Sequence, residues 1–500
     1  MNLHLKIFIR IVILALSLVV MHFIYQQWFY ETDLQEQSEI INRIREVQQD
    51  AEVVYLAESS NKASRSDDVD KRGISEMIAE YYPSVKLNDI SRPAAHAGMY
   101  YAYLQQIAED SPVKTVIVTL NMRSFNGQWI FSNLETPLQK EIVLLKDYPD
   151  LLNRFLLSFK GYDIKNEKER EKQFKRMWRK NKMSVPQGLE RNTVTKWDGA
   201  MFHGGIKNPD GSKNWEETSL ACHYIKAYAF QIDFDKNPRI KDFDAIAKLA
   251  KKRNWNLVFN LMAENVDKAQ EYVGDELLYL MNENRQKLVD RYTKMGVLVV
   301  DNLDNVRDDQ FMDQHWTTEH YAQQGRQIIA KNVADSLKNI YPNDYKQVSY
   351  PSHIPQRTFF NDCEKPSSWG QTKTISSEKA CSGAKSSKVG GGNPYSLTFE
   401  RYMVFIPDTL MNSVDISLNV FQKELEPNSK LVVEISGYKS GLIVARKSLT
   451  ELTNEIGNWQ EISYTYKIPD QAKKGTLFKV YVYNPNQTAV FVDDLKITFN

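Results

Sequence analysis

The chain has 500 residues, 42% of them apolar and 25% charged, with a formal net charge of +1 and three cysteines. That length suggests two or three domains with ordinary cores, and the near-zero charge excludes a global field that would recruit nucleic acid or an acidic surface. Neither a CxxC pair nor an HExxH string occurs, which excludes the common zinc spacings.

Taken in chain order, the first feature is the stretch IFIRIVILALSLVVMHFIYQQWF, from Ile7 to Phe29. It is about long enough to cross a bilayer. Lys6 and Arg10 lie at its leading end, and Glu31, Asp33 and Glu36 follow. The positive-inside tendency therefore puts residues 1–30 in the membrane as an anchor, with everything after Tyr30 outside the cytoplasm, in the periplasm of a cell with an inner membrane. A cleaved signal peptide is the rival reading, and it exports the rest equally. Residues 31–50 are polar and helix-prone and read as a stalk.

From 51 to 345 short apolar runs alternate with helical patterns. The runs are EVVYLA, VKTVIVTL, NLVFNL and GVLVVD; helical patterns precede the last three, and HYAQQGRQIIAKNVADSLKNI follows as a closing amphipathic helix. Such alternation predicts an α/β domain, a parallel sheet with helices on both faces. Within it, Asn166–Lys182 is net basic. It reads as a solvated helix face, or else as a contact for lipid headgroups or an anchored partner. Residues 346–358 form a proline-containing linker, and 359–500 alternate with period two between turns, predicting an all-β sandwich. Cys363 and Cys381 fall there, and export would permit a disulfide worth about 3 kcal/mol in the chain-entropy model. Cys222 is then left as a buried free thiol.

Two elements could carry chemistry. Ser59 directly follows the first strand, so it should sit at the carboxyl edge of the sheet, where open α/β folds bind ligands. Asp313-Gln314-His315-Trp316 precedes the closing helix, and Asp-x-His supplies a base together with a carboxylate to orient it. Ser59 alone reads first as a helix N-cap, and Ser60 would replace it as nucleophile if the turn is shifted by one. His320 reads as polar packing on the closing helix, and His96 as a pocket-lining residue.

These blocks resemble the SGNH (GDSL) hydrolases over residues 50–340. Ala57-Glu58-Ser59 is similar to their Gly-Asp-Ser block, with Ala57 and Glu58 departing from it. DQHWTTEHYAQQGRQIIA resembles the Asp-x-His-Trp-Thr motif of alginate O-acetylation proteins, while the serine-first order is similar to ordinary SGNH esterases and to the D-alanyl transfer protein of lipoteichoic acid synthesis. The resemblance implies a flavodoxin-like SGNH sheet with Ser59 as nucleophile, His315 as general base and Asp313 as orienting acid. It implies an oxyanion hole from Gly98 and Asn121, with helix packing as the alternative for Gly98 and turn formation for Asn121. Arg123, close after Asn121, reads as binding a carboxylate or sugar or else as a surface or structural residue, and Trp316 as a candidate substrate contact. The sandwich resembles a carbohydrate-binding module of jelly-roll type. Asp362, Glu364, Asp493 and Asp494 could offer oxygens to a structural calcium, with ordinary turn carboxylates as the alternative, and Trp369 and Trp459 could stack on sugar.

The expected function is serine O-acyl transfer, acetyl above all, to a cell-envelope or exported polysaccharide, without a cofactor. The resemblance also implies a multispanning membrane acyltransferase as donor partner. An anchored glycan esterase and a non-catalytic glycan-binding scaffold remain the alternatives.

Overall fold

A computed structural model describes residues 3–500 apart from 38, 147–148, 161–165, 187, 209, 354, 366, 438–440 and 475. The first helix runs from Leu3 to Trp28 and is long and apolar enough to cross a membrane, with none of its apolar window buried in the protein. Helices Tyr30–Gln37 and Glu39–Val47 follow it. The second is no solvated stalk: Ile40, Ile41, Ile44 and Val47 are buried, and Arg43 Nε donates to the Asp89 carbonyl at 2.9 Å.

The chain divides into two compact units. The first comprises 1–182, 230–265 and 283–352. Its sheet has five parallel strands, β1 (Val53–Ala57), β2 (Leu87–Ser91), β3 (Thr115–Leu120), β4 (Asn256–Leu261) and β5 (Leu298–Asp301). Their order across the sheet is β2-β1-β3-β4-β5. Strands β1 and β3 are buried along their whole length, as apolar runs in a doubly covered parallel sheet must be. Four strands coincide with the apolar runs read from the sequence. The fifth, LNDIS, lies at the sheet edge with only two of its five residues buried, so it lacks the apolar signature. The closing helix spans Gln323–Leu337 and buries Ile329, Ala330, Val333 and Ala334 in the same core as β1. The expected linker is tied down at first: Lys346 N–H donates to the Tyr81 carbonyl at 2.7 Å, and Tyr345, Val348 and Tyr350 pack on this core.

The second unit comprises 183–229, 266–282 and 353–500. Its β-sandwich strands are β6 (Thr358–Asn361), β7 (Ile375–Ser376), β8 (Ser386–Val389), β9 (Phe399–Tyr402) and β10 (Ser413–Gln422). Strands β11 (Lys430–Gly437), β12 (Gly441–Ser448), β13 (Trp459–Lys467), β14 (Leu477–Tyr483) and β15 (Val490–Phe499) complete it. One antiparallel sheet runs β13-β10-β15-β8-β7 with β6 also on β15, and the other runs β9-β14-β11-β12. Val414, Ile416 and Leu418 of one sheet and Val433, Ile435 and Val480 of the other meet in a single core.

The expected disulfide is not formed. Cys363 is buried and Cys381 exposed, and both are free thiols, as is buried Cys222. Burial pushes the Cys363 thiol up to about 12, which keeps it protonated and inert. Carboxylates tie these loops instead. Glu364 Oε1 accepts from the Ala384 and Lys385 N–H groups at 2.7 Å each, and Asp493 Oδ2 accepts from those of Cys381 and Ser382 at 2.8 and 3.2 Å. The four carboxylates offered to calcium are thereby engaged with donors: Asp362 accepts from the Glu364 N–H, and Asp494 from Ser382 and Asn419. Among the described residues no three His, Cys, Asp or Glu side chains are grouped to hold a metal ion. Trp369 packs on Phe399 with ring centroids 5.1 Å apart, and Trp459 on Phe421 at 5.8 Å.

Candidate active site

The strand order reverses at β1, between β2 and β3, and ligands bind in open α/β folds outside the carboxyl ends of the strands at such a point. Ser59 follows β1 in a short 3-10 turn, Ser59–Asn61, and Asn121 follows β3. Both line a cavity of about 260 Å³ together with Ala94, His96, Trp316 and His320.

The imidazole that meets Ser59 belongs to His320. Its Nε2 lies 2.9 Å from Ser59 Oγ, and its Nδ1 lies 2.9 Å from Asp313 Oδ2. With Nδ1–H donating to the carboxylate, Nε2 is left as an acceptor for the serine O–H. Thr318 Oγ1 donates to the same Asp313 oxygen and fixes it. Ser59 and Asp313 are thus brought together as expected from the sequence, and His315 is not. The reason is the loop's neck. Phe311 and Tyr321 pair as an antiparallel bridge, and Met312 N–H donates to the His320 carbonyl at 2.9 Å. Asp313 and His320 therefore face each other just inside the neck, while His315 sits exposed towards the tip.

Gly98 does not furnish an oxyanion donor. It lies in the first turn of helix Ala97–Gln105, where its N–H donates to His96 Nδ1 at 3.1 Å, and it does not line the cavity. The loop after β2 instead brings Ala94 to the cavity wall with φ of +60°, a left-handed conformation that favours glycine. Asn121 does line the cavity, with Nδ2 3.5 Å from Glu58 Oε1.

Arg123 is committed to the loop. Its guanidinium forks onto both oxygens of Glu319, donates to the Thr317 carbonyl and stacks 4.9 Å above the Trp129 ring. Both partners are buried, so Arg123 braces the His320 loop against the end of β3. Breaking one side of a buried pair typically costs about 3–5 kcal/mol because the other charge is stranded. Arg123→Ala is expected to destabilise the first unit by that order, read as a lowered denaturant midpoint.

The far wall holds a second network. His96 Nε2 donates to Glu135 Oε2 at 3.1 Å, and Arg239 pairs with the other oxygen of Glu135. Burial, reinforced by the Arg239 charge, lowers His96 to about 4, so it is a neutral wall. Burial alone would raise Glu135, but the His96 hydrogen bond and the Arg239 charge outweigh it and hold the carboxyl at about 2. Glu58, beside the serine, goes the other way. Burial, and after it the charge of Glu319, push it up to about 7.

No protein-family model and no curated protein matches the chain. Among solved structures it is similar to carbohydrate-binding modules. One is the C-terminal family 22 module of Clostridium thermocellum Xyn10B, 14% identical over 29% of this chain and 96% of that one, with a TM-score of 0.22. Another is the CBM22-2 xylan-binding domain of Paenibacillus barcinonensis Xyn10C, 16% identical over 25% and 85%, TM-score 0.20. A family 30 module is 12% identical over 25% and 82%, TM-score 0.20. At these scores the likeness assigns no ligand to this chain.

Proposed function

We propose that the protein is a membrane-anchored serine O-acyltransferase working on an exported or cell-envelope polysaccharide, with Ser59, His320 and Asp313 as its catalytic triad. The observation that carries this reading is the relay from Ser59 Oγ to His320 Nε2 and from His320 Nδ1 to Asp313, at the switch point of the sheet. His320 takes the proton from Ser59 as Oγ attacks the acyl carbonyl of an ester or thioester donor. The tetrahedral oxyanion is met by the backbone N–H groups of Ser59 and Ala94 and by the Asn121 amide. Collapse expels the donor's alcohol or thiol, which leaves with the proton from His320. A sugar hydroxyl then gives its proton to His320 and takes the acyl group by the reverse sequence.

The cavity, at about 260 Å³, is smaller than the roughly 300–1,000 Å³ of sites for drug-sized ligands, which suits a short acyl group such as acetyl. The anchor helix would raise the enzyme's effective concentration beside a membrane acyltransferase that supplies the donor. The sandwich is assigned binding of the acceptor glycan.

The test is intact-mass spectrometry of the full chain in detergent after incubation with an activated acetyl ester, with and without acceptor glycan. The expected result is an acetyl adduct that maps to Ser59, moves to the glycan, and is missing from Ser59→Ala. Release of acetate to water with no transfer would make the protein an esterase. Neither adduct nor turnover, with donor access verified, would leave the glycan-binding scaffold.

A further inference from the structure

Helix Asp150–Ser158 is apolar on two sides. One side, Leu151 and Leu157, is buried in the first unit. The other, Leu152, Phe155, Leu156 and Phe159, follows the i, i+3, i+4, i+7 spacing of a second stripe; Phe155 and Leu156 are half-buried, while among the described residues Leu152 is left 44% and Phe159 80% exposed. An apolar helix stripe left exposed marks a surface that meets lipid or a partner. This one lies against the end of the Leu3–Trp28 helix. Arg154 pairs with Asp33 at 3.2 Å, Tyr25 OH donates to the same carboxylate at 2.8 Å, and Tyr30 OH donates to the Leu144 carbonyl at 3.2 Å. A 26-residue helix is about 39 Å long against a hydrocarbon core of about 30 Å, so the Tyr25 end stands at headgroup level.

A second feature lies close by. Helix Glu135–Leu145 runs from that contact at Leu144 to Thr136, about 12 Å at 1.5 Å per residue. There Arg170 of helix Glu167–Lys180 reaches Thr136 Oγ1 and the Ser132 carbonyl. The outer side of that helix exposes Lys168, Lys172, Lys175, Arg176, Arg179 and Lys180, against Glu167, Glu169 and Glu171.

We propose that helices Glu135–Leu145, Asp150–Ser158 and Glu167–Lys180 together form a membrane-surface element. Leu152, Phe155, Leu156 and Phe159 dip into the interface, and the basic helix lies over anionic phospholipid headgroups. Charge complementarity and continuity with the anchor single out the bilayer as occupant. These helices adjoin the cavity: Glu135, at the start of one, lines it beside Trp129 and Leu134, and Trp178 Nε1 of the basic helix donates to Asn126 Oδ1, just before Trp129. The cavity is thereby held beside the membrane, within reach of a membrane-borne donor. The inference rests on the reading of Leu3–Trp28 as an anchor but not on the acyl chemistry.

The full chain would be reconstituted in nanodiscs of phosphatidylglycerol or of phosphatidylcholine, with Phe159→Trp compared with Val69→Trp, a position 95% exposed in the same unit. The added fluorescence at 159 is expected to shift to the blue and to be quenched at least about threefold by brominated lipid, and that at 69 to do neither. Amide exchange across Glu167–Lys180 should be slower in phosphatidylglycerol than in phosphatidylcholine. An unquenched tryptophan at 159, quenching that needs a second membrane protein, or exchange indifferent to lipid charge would each overturn the proposal. Extraction of the full chain from vesicles by alkaline carbonate separates the two premises. A chain that washes off has no anchor, whereas one that stays with 159 unquenched has an anchor and no surface element.

Discussion

His320→Ala is expected to lower acyl transfer by roughly 10⁴-fold or more, while His315→Ala changes it by less than about threefold. The two histidines lie on one loop, five positions apart, and only geometry separates them. Nε2 of His320 is in hydrogen-bond contact with the serine hydroxyl, and its other nitrogen is held by Asp313. Without the imidazole the serine keeps its proton and Asp313 has nothing to orient. Asp313→Asn should fall nearly as far, because an amide facing Nδ1 can favour the tautomer that puts the proton on Nε2, where an acceptor is needed. The readout is the rate of adduct formation at Ser59 for each variant. Equal losses at 315 and 320 would sink the assignment of the base.

The Asp-x-His spacing points to His315, and the geometry of the loop overrides it. Asp-x-His is a local spacing, and local spacing describes neighbours only where the chain is extended. Here residues 312–320 form a loop closed by the Phe311–Tyr321 bridge, so position 313 meets position 320 across the neck and not position 315 along the chain. Arg326 is fully buried and gathers Asp68 together with the Ala63, Asp70, Arg72 and Tyr321 carbonyls, fixing the residue after His320 to the loop that follows Ser59. Nothing in its sequence spacing announces that long-range tie. The central strands and the position of Ser59 were legible because buried parallel strands are continuous apolar runs. The edge strand Leu87–Ser91 was not, and with it went the loop that carries Ala94; Gly98 drew attention as a glycine although the left-handed residue is an alanine.

Glu58→Gln is the variant expected to change stability most with pH. Glu58 is buried, accepts from Ser60 Oγ at 3.0 Å and faces Asn121 and Tyr100 at 3.5 Å, with Glu319 and Arg123 adding opposed charges. Burial, then Glu319, raise its carboxyl from 4.5 to about 7. A raised acid binds its proton more tightly folded than unfolded, so the folded state holds more protons across that window. Stability therefore falls as pH rises from about 4.5 to about 7, and levels off above. At about 1.4 kcal/mol per pKa unit, a rise of this size corresponds to a few kcal/mol at the plateau. Glutamine keeps an oxygen for Ser60 and cannot ionise, so the variant should match the parent near pH 4.5 and exceed its unfolding free energy by that order near pH 8. Activity should follow the same carboxyl. An anion beside Ser59 opposes the oxyanion, so the parent should lose kcat/KM above about pH 7 and the glutamine variant should not. Denaturant melts at the two pH values, paired with the rate profile, check both; a parent whose stability is level across that window would mean that Glu58 is already ionised and compensated by Arg123.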